Sequence, residues 1–207
     1  MAVDISNDVL EGLKQCGVAT VYEAGGGTGA LDPAIKAVWR HAKVVGPAFT
    51  VRCHPGDNLP LHLALEKASA GDVIVAQVSG MLGGYWGGVM TVAAQARGIA
   101  GLVIDGGVRD SEELEALGFP VWARGTGVFR TVKHEPGVLQ EPLLAGGILI
   151  NPGDIILADS DGVMAIPRAK VQQFLEAGRK REAAEAGYVE RLRKGETTMQ
   201  IYGFPRG

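Results

Sequence analysis

Hydrophobic and polar positions along this chain switch repeatedly between a period near 3.6 and short apolar runs, the pattern of alternating helices and buried strands. Residues 7–16 have helical spacing behind Ser6, an N-cap type, with Gly17 as the stop. Residues 18–24 are too few to separate helix from strand. Residues 43–53 (KVVGPAFTVRC) read as a strand, bent or placed at an edge by Gly46-Pro47. A turn at 54–58 leads into a helix over 59–68, which Asp57 or Asn58 can cap. A buried strand over 73–78 comes next. A helix over 89–97 and a short strand over 101–104 follow. Ser111 is then placed to cap a short acidic helix over 112–117 that Gly118 ends.

The remaining strands fall at 119–123, 127–133, 147–150, 155–158 and 163–166, with turns at 151–154 and 159–162. From Pro167 or Arg168 to about Lys194 the chain is helical, charged and alanine-rich. Gly178 and Gly187 interrupt this helix, so a bend or split is expected. Its apolar stripe is thin: Val171, Phe174, Leu175, Val189 and Leu192. Such a stripe suggests packing on a neighbouring subunit as well as on its own domain. The tail carries Met199, Ile201, Tyr202 and Phe204, enough apolar surface to dock. The reading is one compact α/β domain over residues 1–167 with a C-terminal helical arm over 168–207.

Composition narrows the function classes. The chain has 207 residues and a formal net charge of -3, which argues against nucleic acid as a main partner because phosphate binding needs a positive surface. No window approaches about 18 uninterrupted apolar residues, so no membrane span is expected. The amino terminus lacks a basic region followed by an apolar one, so no signal peptide is expected and a cytoplasmic protein is the default. Cys16 and Cys53 form no CxxC pair, and without an export signal neither a disulfide nor a zinc motif is expected.

The chemistry concentrates between Gly83 and Asp110. A glycine-rich entry runs into a helix, then a buried strand, then a polar loop from Asp105 to Asp110. That loop leaves the carboxyl end of a strand, where open α/β sheets place ligand groups. Arg109 offers a fork of donors suited to carboxylates and enolates. Asp110 can hold a hard cation. On spacing alone, an exposed Arg-Asp pair starting the next helix fits equally well. If Gly84 to Met90 forms the mouth of a site, the first N–H groups of the helix have no internal partner and attract a carboxylate. A small 2-oxo acid suits such a place, with its keto oxygen toward the guanidinium and a metal that together stabilise an enolate.

Other chemistries find less support. Residues Gly25 to Gly29 are followed by no Gly-Lys-Ser/Thr and preceded by no clear strand, so a flexible turn is expected there. Lys43, Lys67 and Lys133 lack an activating context for a Schiff base. There is no GxSxG elbow. His41, His54, His62 and His134 are scattered, and the acidic turns lack the ligand spacing of a calcium loop.

Five stretches carry a resemblance that spans nearly the whole chain in order. They are CHPGDN at 53–58, AGDVIVA at 70–76, YWGGVMTVAAQARGIAGLVIDGGVRD at 85–110, NPGDIILADSDGVMAIPR at 151–168 and KREAAE at 180–185. The sequence resembles the RraA-like proteins, and within them the class II pyruvate aldolases acting on 4-hydroxy-4-methyl-2-oxoglutarate and 4-carboxy-4-hydroxy-2-oxoadipate. The resemblance implies an αββα sandwich similar to swivelling phosphohistidine-type domains. It also implies homotrimers or dimers of trimers with sites between subunits. It implies that the backbone of Gly87, Gly88, Val89 and Met90 binds the pyruvyl carboxylate and that Arg109 binds the keto or enolate oxygen. Asp110 is implied as a ligand of Mg2+ or Mn2+, with Glu185, or Glu182, reaching metal-bound water from the neighbouring subunit's helix. The implied activity is retro-aldol release of pyruvate from 4-hydroxy-2-oxo acids, with oxaloacetate decarboxylation beside it.

One position departs from the pattern. The aldolases usually carry an acid twenty-one residues before the arginine, and Gly88 stands there in this chain. Losing a positioned proton-transfer group costs about 100- to 10,000-fold. His54 and Asp57 are the nearby side chains that could stand in for it. Gly88 also favours the alternative, a protein-binding regulator of a ribonuclease, which needs no active site. A menaquinone methyltransferase role finds no glycine loop for its adenosyl cofactor.

Overall fold

The computed structural model describes residues 5–205. Among them, eight strands form one mixed sheet. Strands β2 (Val44–Arg52), β3 (Val73–Gln77), β4 (Gly101–Val108) and β5 (Val121–Thr126) run parallel to one another, and short β1 (Lys36–Ala37) closes one edge antiparallel to β5. Short β6 (Val138–Leu139) pairs with the end of β2. A separate hairpin joins β7 (Leu143–Ala145) to β8 (Ile148–Ile150). The hairpin of β9 (Ile155–Ala158) and β10 (Val163–Ile166) adds to the start of β2.

The layers follow from the period-2 alternation of the strands. Phe49, Val51, Ile74, Ala76, Leu102 and Ile104 face helices α3 (Leu59–Lys67), α4 (Gly88–Ala96) and α5 (Ser111–Ala116). Val73, Val75, Val103 and Trp122 face the other way, against Leu143, Ala145 and Ile150 and against Ile156, Ala158, Val163 and Ala165. The outer residues of that second strand layer, Ile155, Leu157, Met164 and Ile166, are covered by α1 (Asn7–Cys16), α2 (Val18–Ala24) and α6 (Val171–Arg193). Helix, strand, strand and helix layers thus stack in the expected order.

Several sequence expectations change in detail. Residues 18–24 are helical. Residues 105–108 continue β4 instead of forming a loop, past a shift in register between Ile104 and Gly107. Glycine is needed there: a Cβ on Gly107 would stand 2.8 Å from backbone atoms of Leu82. Ser111 is the first residue of α5, and Asp110 holds the N-cap position without a side-chain cap bond. Residues 127–133 are not a strand. They form a loop touching its neighbours by single bridges at Gly83–Phe129 and Asp57–Val132. Helix α6 runs unbroken through Gly178 and Gly187. A Cβ on Gly178 would stand 3.4 Å from Cys16 Sγ, an ordinary packing distance, so the helix lies close on α1 there. Of the thin stripe, Val171, Phe174 and Leu175 are buried on α1 and α2, whereas Val189 and Leu192 remain exposed. Helix α7 (Thr198–Tyr202) folds back, setting Tyr202 edge-on to Tyr188, and a capping box at Thr197 fixes its start. No helix among the described residues is long and apolar enough to cross a membrane.

Candidate active site

Arg109 and Asp110 leave the carboxyl end of β4 and meet the first turn of α4. The segment before α4 is pinned on both sides. Gly84 N–H donates to Phe129 O at 2.9 Å, and Arg109 N–H donates to Trp86 O at 2.9 Å. Trp86 is buried, stacked on Phe119, and its Nε1 donates to Thr91 Oγ1 at 2.8 Å. Tyr85 is buried too, and its hydroxyl accepts from Gly56 N–H at 2.6 Å. These two aromatic anchors make the glycine-rich entry a rigid mouth. Arg109 lies along it: a Cβ on Gly84 would stand 2.9 Å from Arg109 Cδ, and one on Gly87 would stand 3.2 Å from its Nε.

Asp110 has φ 59° and ψ 39°, the left-handed region that non-glycine residues seldom adopt. The twist turns its carboxylate back onto α4. Its Oδ2 accepts Gly88 N–H at 3.1 Å and lies 3.5 Å from Arg109 Nε. One of the amides expected to bind a carboxylate is therefore already satisfied within the chain. The N–H groups of Val89 and Met90 belong to the same first turn and have no i−4 carbonyl inside the helix.

A cavity of about 400 Å³ opens beside this turn. Gly84, Tyr85, Gly87, Val89, Met90 and Arg109 line it, together with Asn58, His62, Arg130, Thr131 and Lys133. Three cationic side chains thus share one pocket. Burial, and then the charge of Lys133, push the His62 imidazole below its ordinary range, so it stays neutral at pH 7. The part of the lining from Arg130 to Lys133 is not legible in the sequence, because 127–133 alternates like a strand; a glycine followed by two cations and a threonine is the available signal.

Asp57 and His54 do not reach the cavity as chemical groups. Asp57 is 2% exposed, and both its oxygens are used. Oδ1 accepts Leu59 N–H at 2.8 Å; Oδ2 accepts His134 N–H at 2.7 Å and Glu135 N–H at 2.9 Å. Burial alone would raise its pKa, but the three donors outweigh it and hold the carboxyl below the usual range. His54 lines a different pocket, with Arg52, Cys53 and Gln77. Asn58 keeps the N-cap position of α3 but turns its side chain inward, donating to Tyr85 O at 2.9 Å. Asp105 is structural, paired with Arg124, which also holds Asp32 at 2.8 Å.

Neither cysteine offers a thiolate. Both are free and buried. Burial and then the bond to Glu182 push Cys16 up to about 11, and burial pushes Cys53 up to about 12. Glu182 accepts that Cys16 bond at 3.3 Å. Glu185 pairs with Arg181 at 2.8 Å, and Arg181 also pairs with Glu23. Among the described residues no group of three or more His, Cys, Asp or Glu side chains could hold a metal alone. Mg2+ needs no such cage, because it usually keeps several waters and takes one or two carboxylates plus the substrate. Asp110, whose second oxygen is not engaged, fits that pattern.

A glycine-lined helix N-terminus stands beside an arginine and a carboxylate at the end of a parallel strand on this α/β fold. The RraA-like family (Aldolase/RraA) matches residues 7–165, and the chain belongs to that family. It is 39% identical over 154 residues to the "Putative 4-hydroxy-4-methyl-2-oxoglutarate aldolase" of Halalkalibacterium halodurans, covering 74% of this chain and 73% of that protein. Among solved structures it is similar to an uncharacterised protein from Pseudomonas syringae pv. tomato, with a TM-score of 0.85 and 27% identity over 98% of this chain and 96% of that one. It is also similar to Streptomyces coelicolor RraAS2, an unusual member of the RNase ES inhibitor RraA family. There the TM-score is 0.78, with 28% identity over 91% of this chain and all of that one.

Proposed function

We propose that this protein is a divalent-metal-dependent lyase that releases pyruvate from 4-hydroxy-2-oxo acids by retro-aldol cleavage and decarboxylates oxaloacetate at the same site. The observation that carries this reading is Arg109, which lines a cavity together with two further cations, with Asp110 beside it bound to the first turn of α4. The substrate's 1-carboxylate takes the free amides of Val89 and Met90. Arg109 faces the 2-oxo oxygen and stabilises the negative charge that gathers there as the C–C bond breaks. The distal carboxylate lies toward Arg130 and Lys133. Asp110 would hold Mg2+ or Mn2+, with Glu185 or Glu182 contributing from a neighbouring copy. The ion, when bound, supplies a second positive charge beside the enolate oxygen. Glu185 would have to leave Arg181 to take that role.

Pyruvate release from 4-hydroxy-4-methyl-2-oxoglutarate with Mg2+ or Mn2+ tests the reading directly. Arg130→Ala and Lys133→Ala are each expected to raise KM for that substrate about tenfold, as the loss of ~1.4 kcal/mol of binding requires, with kcat little changed. Unaltered KM in both variants would remove the distal carboxylate from this wall.

The likeness to RraAS2 favours a second reading, a regulator that binds a ribonuclease. Capture of a large ribonuclease together with absence of turnover on every 2-oxo acid would select it.

A further inference from the structure

The side of α4 that meets α5 has no side chain at its first turn. Gly87 and Gly88 leave the space, and two carboxylates from the start of α5 fill it. Asp110 takes the space over Gly87, and the carboxylate of Glu113 occupies the volume where a Cβ on Gly88 would sit. Glu113 is the third residue of α5, where a glutamate often turns back to cap its own helix. Here α5 has no side-chain cap bond, and the carboxylate of Glu113 makes no hydrogen bond or ion pair among the described residues. It is held against Gly88, the residue whose own N–H binds Asp110.

The lyase chemistry needs a group that takes and returns a proton, and the neighbouring candidates are committed elsewhere. Arg109 carries donors only and has no lone pair to take a proton. Asp110 Oδ2 is bound to Gly88 N–H beside Arg109. Both oxygens of Asp57 serve backbone donors. His54 lies in another pocket, and His62 Nε2 is a buried atom with no partner and no exposed surface.

We propose that Glu113 is the proton-transfer residue of the aldol cleavage, an inference that rests on the lyase reading above. Its carboxylate takes the proton of the substrate's C4 hydroxyl. The C3–C4 bond breaks, its electron pair passes into the C2=C3 enolate of pyruvate, and the second product leaves with a new carbonyl at C4. The protonated Glu113 then gives its proton to C3 of the enolate, which completes pyruvate and restores the carboxylate. A carboxylate reaching over from α5 thereby serves a position where the chain of α4 has none.

Two substrates separate this role from simple support of the site. Cleavage of a 4-hydroxy-2-oxo acid needs a proton removed before the C–C bond can break. Decarboxylation of oxaloacetate does not, and its enolate can take a proton from water. Glu113→Gln should therefore lower kcat for aldol cleavage by about 100- to 10,000-fold, with KM nearly unchanged, while oxaloacetate decarboxylation falls less than about tenfold. Binding of oxalate, a mimic of the pyruvate enolate, and the melting temperature should stay at wild-type values. The double variant Gly88→Asp/Glu113→Ala moves the acid to α4 in the space just vacated. Gly88 has no positive φ, so aspartate is allowed there, and the double variant should cleave at least tenfold faster than Glu113→Ala.

Equal losses on both substrates, or wild-type cleavage by Glu113→Gln, would overturn the role while leaving the lyase reading intact. A wild-type protein that turns over neither substrate would overturn both.

Discussion

Arg109→Ala is expected to lower pyruvate formation from 4-hydroxy-2-oxo acids and from oxaloacetate by about 100- to 1,000-fold, the usual loss when a fixed donor to a developing oxyanion is removed. Both reactions pass through the same enolate, so both should fall together, unlike the split expected at Glu113. The side chain is half-exposed, at 54%, and is held by packing along Gly84 and Gly87 instead of by a buried ion pair. Its removal should therefore leave the melting temperature nearly unchanged. Arg109→Lys should recover little, because a single ammonium cannot reproduce the planar fork. Initial rates with saturating Mg2+, measured beside thermal unfolding, check this. A fall of less than threefold on both substrates would remove Arg109 from the chemistry.

The second large effect is on stability. Asp57→Ala should destabilise the protein by about 2–4 kcal/mol, since three backbone N–H groups lose their acceptor, and lower the melting temperature by roughly 4–16 °C. Asp57 ties the start of α3 to residues His134 and Glu135, beside Lys133 in the cavity wall. The variant should thus also raise KM for substrates with a distal carboxylate. The pH dependence has a definite sign. The folded pKa lies below the unfolded value of about 3.9, so this stabilisation is present in full above pH 4 and is lost as pH falls through the folded value. In Asp57→Ala the acid side of the unfolding profile should be flatter. Thermal melts between pH 3 and pH 7 measure it. Equal slopes for the two proteins would show that Asp57 is not the brace described here.

Much of this architecture could be read from the sequence where a single period dominates. The first helix, β9 and β10 fall where the pattern puts them, and the glycine-rich entry, the helix and Arg109-Asp110 appear in order. What could not be read depends on pairing through space. Residues 127–133 alternate well enough to suggest a strand, yet they bridge only at Phe129 and Val132 and turn Arg130 and Lys133 into the cavity. Asp57 looked like a cap or a catalytic acid, and only the return of the chain at His134 shows it to be a brace. Gly88 looked like a lost carboxylate. The carboxylate that fills its space comes from twenty-five residues further on, a relation no local pattern carries.

The central claim is a metal-assisted enolate site built on Arg109 and Asp110. The most direct test is oxaloacetate decarboxylation by the wild-type protein, followed as pyruvate formation with Mg2+ and again with EDTA. Turnover well above the rate with free Mg2+ is expected, abolished by the chelator and restored by excess Mg2+ or Mn2+. Turnover no faster than free metal, or an enzymatic rate indifferent to EDTA, would contradict it.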